Sequence, residues 1–129
     1  CKVFSGTCLS YLMDDINLEN LKNDPNYEKW KQQRLERGFS DYDLLDFDNF
    51  LLAVLPTALD KLAEKDTYPD FMFTTLEAYR RYIQRIADDL RWAEKMTNED
   101  ASRDSMAEAT GILYGAFSRL SQIFWTLWI

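Results

Sequence analysis

Apolar residues recur at steps of three and four along most of this chain, and that period predicts helices. The clearest run is Leu76, Tyr79, Ile83, Ile86, Leu90 and Ala93, which predicts an amphipathic helix over about 75–96. Thr74 and Glu77 stand ahead of it at capping-box spacing. A second run, Met106, Ala109, Leu113, Ala116, Leu120, Ile123 and Leu127, forms a coiled-coil-like seam. The polar stretch 97–105 separates the two, with Asn98 or Ser102 as the candidate cap, so both long helices are expected to pack antiparallel. Gly111 and Gly115 lie four apart on the last helix, a spacing that admits a close neighbour.

A third helix is predicted over about 43–65 from Leu44, Phe47, Leu51, Val54, Leu55, Ala58, Leu59 and Leu62. Ser40 and Asp43 have capping-box spacing at its start, with Asp replacing the usual Glu or Gln. Pro56 removes a backbone donor inside it, which predicts a kink or a break near Leu55. Upstream, Asp24-Pro25 and Gly38 bracket a short helix over about 25–37 that carries Lys29, Lys31, Arg34 and Arg37. Asp14–Lys22 predicts another short helix, and residues 2–13, without a helical period, a strand or apolar arm. Lys65–Asp70 reads as a loop, with Phe71, Met72 and Phe73 expected to anchor it to the core. The fold class is all-α. One domain over residues 1–129 is expected, with two long antiparallel helices, a Pro-kinked third, and residues 1–40 as an arm with short helices.

Composition narrows the chemistry. The 129 residues include 15 Lys plus Arg, 22 Asp plus Glu and no His, for a net charge of -7. Without histidine there is no Ser-His or Cys-His pair and no imidazole metal ligand. An acidic chain is a poor general binder of nucleic acid, because phosphate contacts need Lys and Arg. Cys1 and Cys8 are too close in sequence to staple the fold and too few for a structural zinc site, and are read as free or buried thiols. A start at Cys1 reads as processed or truncated, and residues 1–12 lack the pattern of a signal peptide. Ser118, Arg119, Ser121 and Gln122 interrupt the last apolar stretch, so no membrane span is expected.

Two stretches stand out. Between Arg37 and Lys61 there is no basic residue and five acids, of which Asp41, Asp43, Asp46 and Asp48 form the densest group. One reading is an acidic surface that meets a basic partner; the other is favourable charge at a helix start. The group lacks the glycine turn and terminal Glu of a calcium loop, so neither a metal nor a cofactor is expected. At the other end, Phe124-Trp125-Thr126-Leu127-Trp128 either docks against the chain or forms a contact for a partner or a second copy, with Trp125 and Trp128 as anchors. Arg80, Arg81, Arg85 and Arg91 form a basic run, readable as an anion site or as a face balanced by the pairs Glu77–Arg81 and Arg85–Asp89.

Asp46–Leu62, Tyr68-Pro69, Leu76–Tyr79, Ile83–Leu90 and the Phe117–Trp128 end together resemble small phage-encoded helical proteins. The resemblance covers about residues 41–129 and rests on residue types, without a diagnostic motif. It implies no catalytic residues. On this basis the chain is expected to be a non-enzymatic interaction protein in the cytoplasm of a bacterial host. Its partner would be a larger protein with a basic surface, and its sharpest form an inhibitor of a host nucleic-acid-binding defence complex, of the anti-CRISPR type. The alternative is an assembly subunit of a larger particle, joined through its apolar ends.

Overall fold

The computed structural model describes residues 18–98 and 100–128. Among these the regular structure is entirely helical. A 3-10 helix, Leu18–Leu21, is followed by α1 (Tyr27–Arg37), a 3-10 helix at Asp43–Asp46, α2 (Phe47–Ala63), α3 (Leu76–Lys95), α4 (Arg103–Ile123) and a last 3-10 helix at Phe124–Thr126. No described helix is long and apolar enough to cross a membrane. The readings of residues 1–17, including the apolar arm and both cysteines, lie outside the described residues. The chain divides into two compact units, one ending at Val54 and the next starting at Leu55.

In the first unit, α1 packs on the Leu18–Leu21 turn, and Leu18 and Tyr27 are buried. Asp24 opens the approach to α1 by accepting the Asn26 N–H at 2.8 Å. Gly38 ends α1 in the left-handed region at φ 89°, its N–H bonded to the Arg34 carbonyl, which favours a residue without Cβ. Ser40 and Asp43 form the expected reciprocal cap. The Ser40 N–H donates to Asp43 Oδ2 at 2.8 Å, and the Asp43 N–H donates to Ser40 Oγ at 3.2 Å. The turn that follows is 3-10, so α2 proper starts at Phe47.

In the second unit, α3 and α4 run side by side in opposite directions. Tyr82, near the start of α3, donates to the Arg119 carbonyl near the end of α4 at 2.9 Å, and Arg119 reaches Asp89 at 3.3 Å. The two seams meet: Tyr79, Ile83, Ile86, Leu90 and Ala93 of α3 are buried, as are Ala109, Ala116, Leu120 and Ile123 of α4. Burying a Leu- or Ile-sized side chain contributes about 1.5–3 kcal/mol, so this seam dominates the second unit's stability. The end of α2 is tied to α3 by Asp60, which accepts from Gln84 at 2.8 Å and pairs with Arg91.

Several local expectations change. The cap of α3 is Thr75, one residue after the expected Thr74: its backbone is extended and its hydroxyl accepts the Ala78 N–H at 3.0 Å. Ser102, not Asn98, caps α4, accepting from Ser105 N–H at 3.0 Å; Asn98 instead closes its own turn onto Asp100. Of the three expected anchors only Phe73 packs inward, through edge contacts with Tyr79 and Tyr82 at 5.2 and 5.3 Å; Phe71 and Met72 are exposed. The α2 helix runs without a break through Pro56, whose ring is fully buried. Among the described residues neither glycine of α4 receives a neighbouring helix: a Cβ on Gly111 would meet none of them within 4 Å, and one on Gly115 only its own helix's Arg119.

Candidate functional site

The four predicted acids separate into two pairs. Asp43 is buried, with its side chain 1% exposed, and Arg34 of α1 grips it with both ends of the guanidinium, Nε to Oδ2 at 2.9 Å and Nη2 to Oδ1 at 2.5 Å. Burial acts to raise its pKa, but the bonds from Arg34 and Ser40 outweigh that and hold the carboxyl below its usual value. Asp41 lies on the surface beside α1. It accepts from Gln33 at 2.9 Å and Arg37 at 2.6 Å, with Lys29 at 3.9 Å, and these bonds, Gln33's first, lower its pKa. Both carboxylates are thus engaged by α1, the basic element that precedes them. Asp46 accepts from Asn49 at 2.6 Å, and Asp48 is exposed. Neither is ion-paired to a described residue, so the charge left for a partner sits on this second pair.

Sequence reasoning treated the apolar positions around these acids as core. In the structure Leu44, Phe47, Leu51 and Val54 are 49%, 39%, 42% and 38% exposed, and Leu45 beside them is 80% exposed. The buried positions of α2 are Ala53, Pro56 and Leu59. Phe47 is held by Phe50, stacked at 5.8 Å, and by Phe39, edge-on at 6.3 Å, while the Arg34 guanidinium lies over the Phe50 ring, 5.8 Å from its centroid.

Five aromatic side chains along α4, its 3-10 extension and the residue pair after it stand in solvent, with Phe124 and Trp125 edge-on at 5.1 Å. Tyr114, Trp125 and Trp128 are 78%, 83% and 81% exposed, and Phe117 and Phe124 are 43% and 49% exposed. Thr126, between them, is buried and its hydroxyl donates to the Ile123 carbonyl at 2.7 Å, while Trp125 and Trp128 stay exposed. With about 200 Å² for a fully exposed aromatic, these five side chains present roughly 700 Å². Monomer surfaces rarely carry patches above a few hundred Å², and a standard interface takes about 800 Å² from each partner. Tyr114 was not singled out from the sequence. The available signal is that Arg119 is the only charged residue between Glu108 and Trp128, and it faces Asp89 of α3.

The arginine run is mostly consumed. Arg80 bonds the Lys65 carbonyl at 3.0 Å and pairs with Asp66 at 3.2 Å, and Glu77 pairs with it at 3.6 Å in place of the expected Arg81. Arg85 meets Asp89 at 3.6 Å as expected, and Arg91 joins Asp60 and Asp88. Asp60, Glu64, Arg80, Arg81 and Gln84 line an open depression of about 510 Å³; Arg80 Nε is buried and has no hydrogen-bond partner among the described residues. The acids that share this depression offset its arginines, which makes it a weak anion trap.

No family model matches the chain, and no curated protein or solved structure is similar to it at a significant level. Among the described residues no group of three or more Asp, Glu, Cys or His is arranged to hold a metal ion. Tyr79 and Tyr82 have raised pKa values, in both cases through burial, and they serve the α3–α4 seam. What the described surface offers is contact area, with Tyr114, Trp125 and Trp128 among its most exposed large apolar side chains.

Proposed function

We propose that this protein is a non-enzymatic interaction or assembly module whose main contact is the exposed aromatics along α4 and its 3-10 extension. The observation that carries this reading is the roughly 700 Å² of aromatic surface on a stretch with a single, internally paired charge. Trp and Tyr are the usual anchors of protein interfaces, because they bring large area with few rotatable bonds. An uncharged face suits a protein partner or a second copy better than nucleic acid, whose recognition starts from cations. The narrower proposal, an inhibitor of a host defence complex in the bacterial cytoplasm, draws on the small size and acidic balance and not on this face.

The test replaces Trp125 and Trp128 with Ser together. Both are more than 80% exposed, so helix content by circular dichroism should stay unchanged. Sedimentation measures self-association, and affinity capture from the source cells compares wild type with the double variant. The reading expects a wild-type association, with itself or with a captured protein, that the double variant loses. A wild-type chain that stays monomeric and captures the same proteins as the variant overturns it.

A further inference from the structure

The apolar seam at the start of α2 lies in the other unit from the aromatic face, and nothing in the proposed function uses it. Leu44, Phe47, Leu51 and Val54 follow steps of three, four and three, the spacing of a helix seam that receives a partner helix. The preceding turn is 3-10, which brings residues three apart into line, so Leu44 continues the row set by Phe47. All four are between 38% and 49% exposed, so the row is open to solvent and not a buried core. Phe47 is braced from behind by Phe39 and Phe50, so the row is preorganised.

The flanking charge selects the occupant. Asp46 and Asp48 border the row, neither is ion-paired to a described residue, and no Lys or Arg occurs from residue 38 to residue 60. Asp41 and Asp43 are already matched by Arg37 and Arg34. Two copies meeting through this row would oppose Asp46 and Asp48 with the same acids, which repels. A helix with an apolar seam bordered by Lys or Arg meets the same surface with opposite charge. We infer that the Leu44–Val54 row is a docking site for a basic amphipathic helix of a partner protein, with Phe47 and Leu51 as anchors and Asp46 and Asp48 as selectors of charge.

The experiment uses the full chain and three synthetic helical peptides. They share a Leu/Ile seam and differ only in flanking residues, Lys in the first, Gln in the second and Glu in the third. Fluorescence anisotropy at low salt should show saturable binding of the Lys peptide, on the order of tenfold or more tighter than the Glu peptide, as expected when two exposed charge contacts change sign. The Asp46→Asn/Asp48→Asn variant should bring the Lys and Glu peptides to within about twofold of each other and leave the Gln peptide unchanged. Leu51→Gln, at a partly exposed position and with good helix propensity, should weaken all three with helix content retained. The Trp125→Ser/Trp128→Ser variant should bind as wild type does, which separates this surface from the aromatic face. Equal binding of the Lys and Glu peptides overturns the charge selection. Failure of all three peptides, whether because residues 1–17 or a second copy covers the row or because it binds no helix, overturns the site.

Discussion

Replacing Asp43 with Ala should be among the most damaging single changes in the first unit. The substitution removes both bonds from Arg34, at 2.9 and 2.5 Å, and the acceptor for the Ser40 N–H and hydroxyl, at 2.8 and 3.0 Å. It also leaves the Arg34 guanidinium, 21% exposed, beside a buried gap. Breaking a buried pair from one side costs about 3–5 kcal/mol, and an orphaned buried donor about 1–3 kcal/mol. Arg34 keeps some water contact and a ring neighbour in Phe50, which argues for the low end, about 3 kcal/mol. Asp43→Asn keeps an acceptor oxygen and should lose about 1–2 kcal/mol. Urea unfolding followed by circular dichroism gives the totals. Hydrogen exchange at the Ser40 amide gives the local reading, and its protection should collapse in Asp43→Ala. The double change Arg34→Met/Asp43→Leu should recover only the part of the loss that comes from the unpaired guanidinium, because the buried Ser40 N–H still lacks its acceptor. A loss below about 1 kcal/mol with Ser40 still protected would refute the view that this pair joins α1 to α2.

Acid should act through the same carboxylate. Asp43 has a folded pKa below its ordinary 3.8, so its contribution is complete above the unfolded value and is lost as pH falls through the lowered folded one; the urea midpoint should drop below about pH 4, and Asp43→Asn should flatten that drop. Gly111→Ala should raise stability by about 1 kcal/mol in thermal or urea unfolding, because a Cβ there meets nothing and Ala is the better helix former; a loss would show an unseen neighbour. Thr75→Ala should cost about 1 kcal/mol and Thr74→Ala less than about 0.5 kcal/mol, since only Thr75 caps α3, and reversed costs would contradict the cap.

The α3–α4 pair was legible in the sequence because each seam is the other's only large apolar neighbour close along the chain. A loop of a few polar residues leaves two such helices little choice but to fold back on one another. Cap positions were legible to within a residue, and the exact residue depends on backbone angles that Thr74 and Thr75 do not reveal. The α2 seam has the same period but a different fate. Spacing states that a helix has a face to bury, and it is silent on whether the cover comes from this chain. Leu59 is buried and Leu51 is not, although both sit in one run of apolar positions.

The acids carry the same lesson in charge. Along the sequence, residues 25–37 carry Lys29, Lys31, Arg34 and Arg37, and residues 41–48 carry four acids and no base. Folded, Arg34 and Arg37 take Asp43 and Asp41, partners only four to nine residues away. A cluster that reads as four charges for a partner therefore offers two. Those two, Asp46 and Asp48, lie where the apolar row is open, so the surface they mark asks for a ligand that is both greasy and basic. A purely electrostatic mimic of nucleic acid would need charge spread over a polar face. Here the acids border Leu44, Phe47, Leu51 and Val54, and the desolvation of that row, with charge choosing between candidates, is the stronger source of affinity.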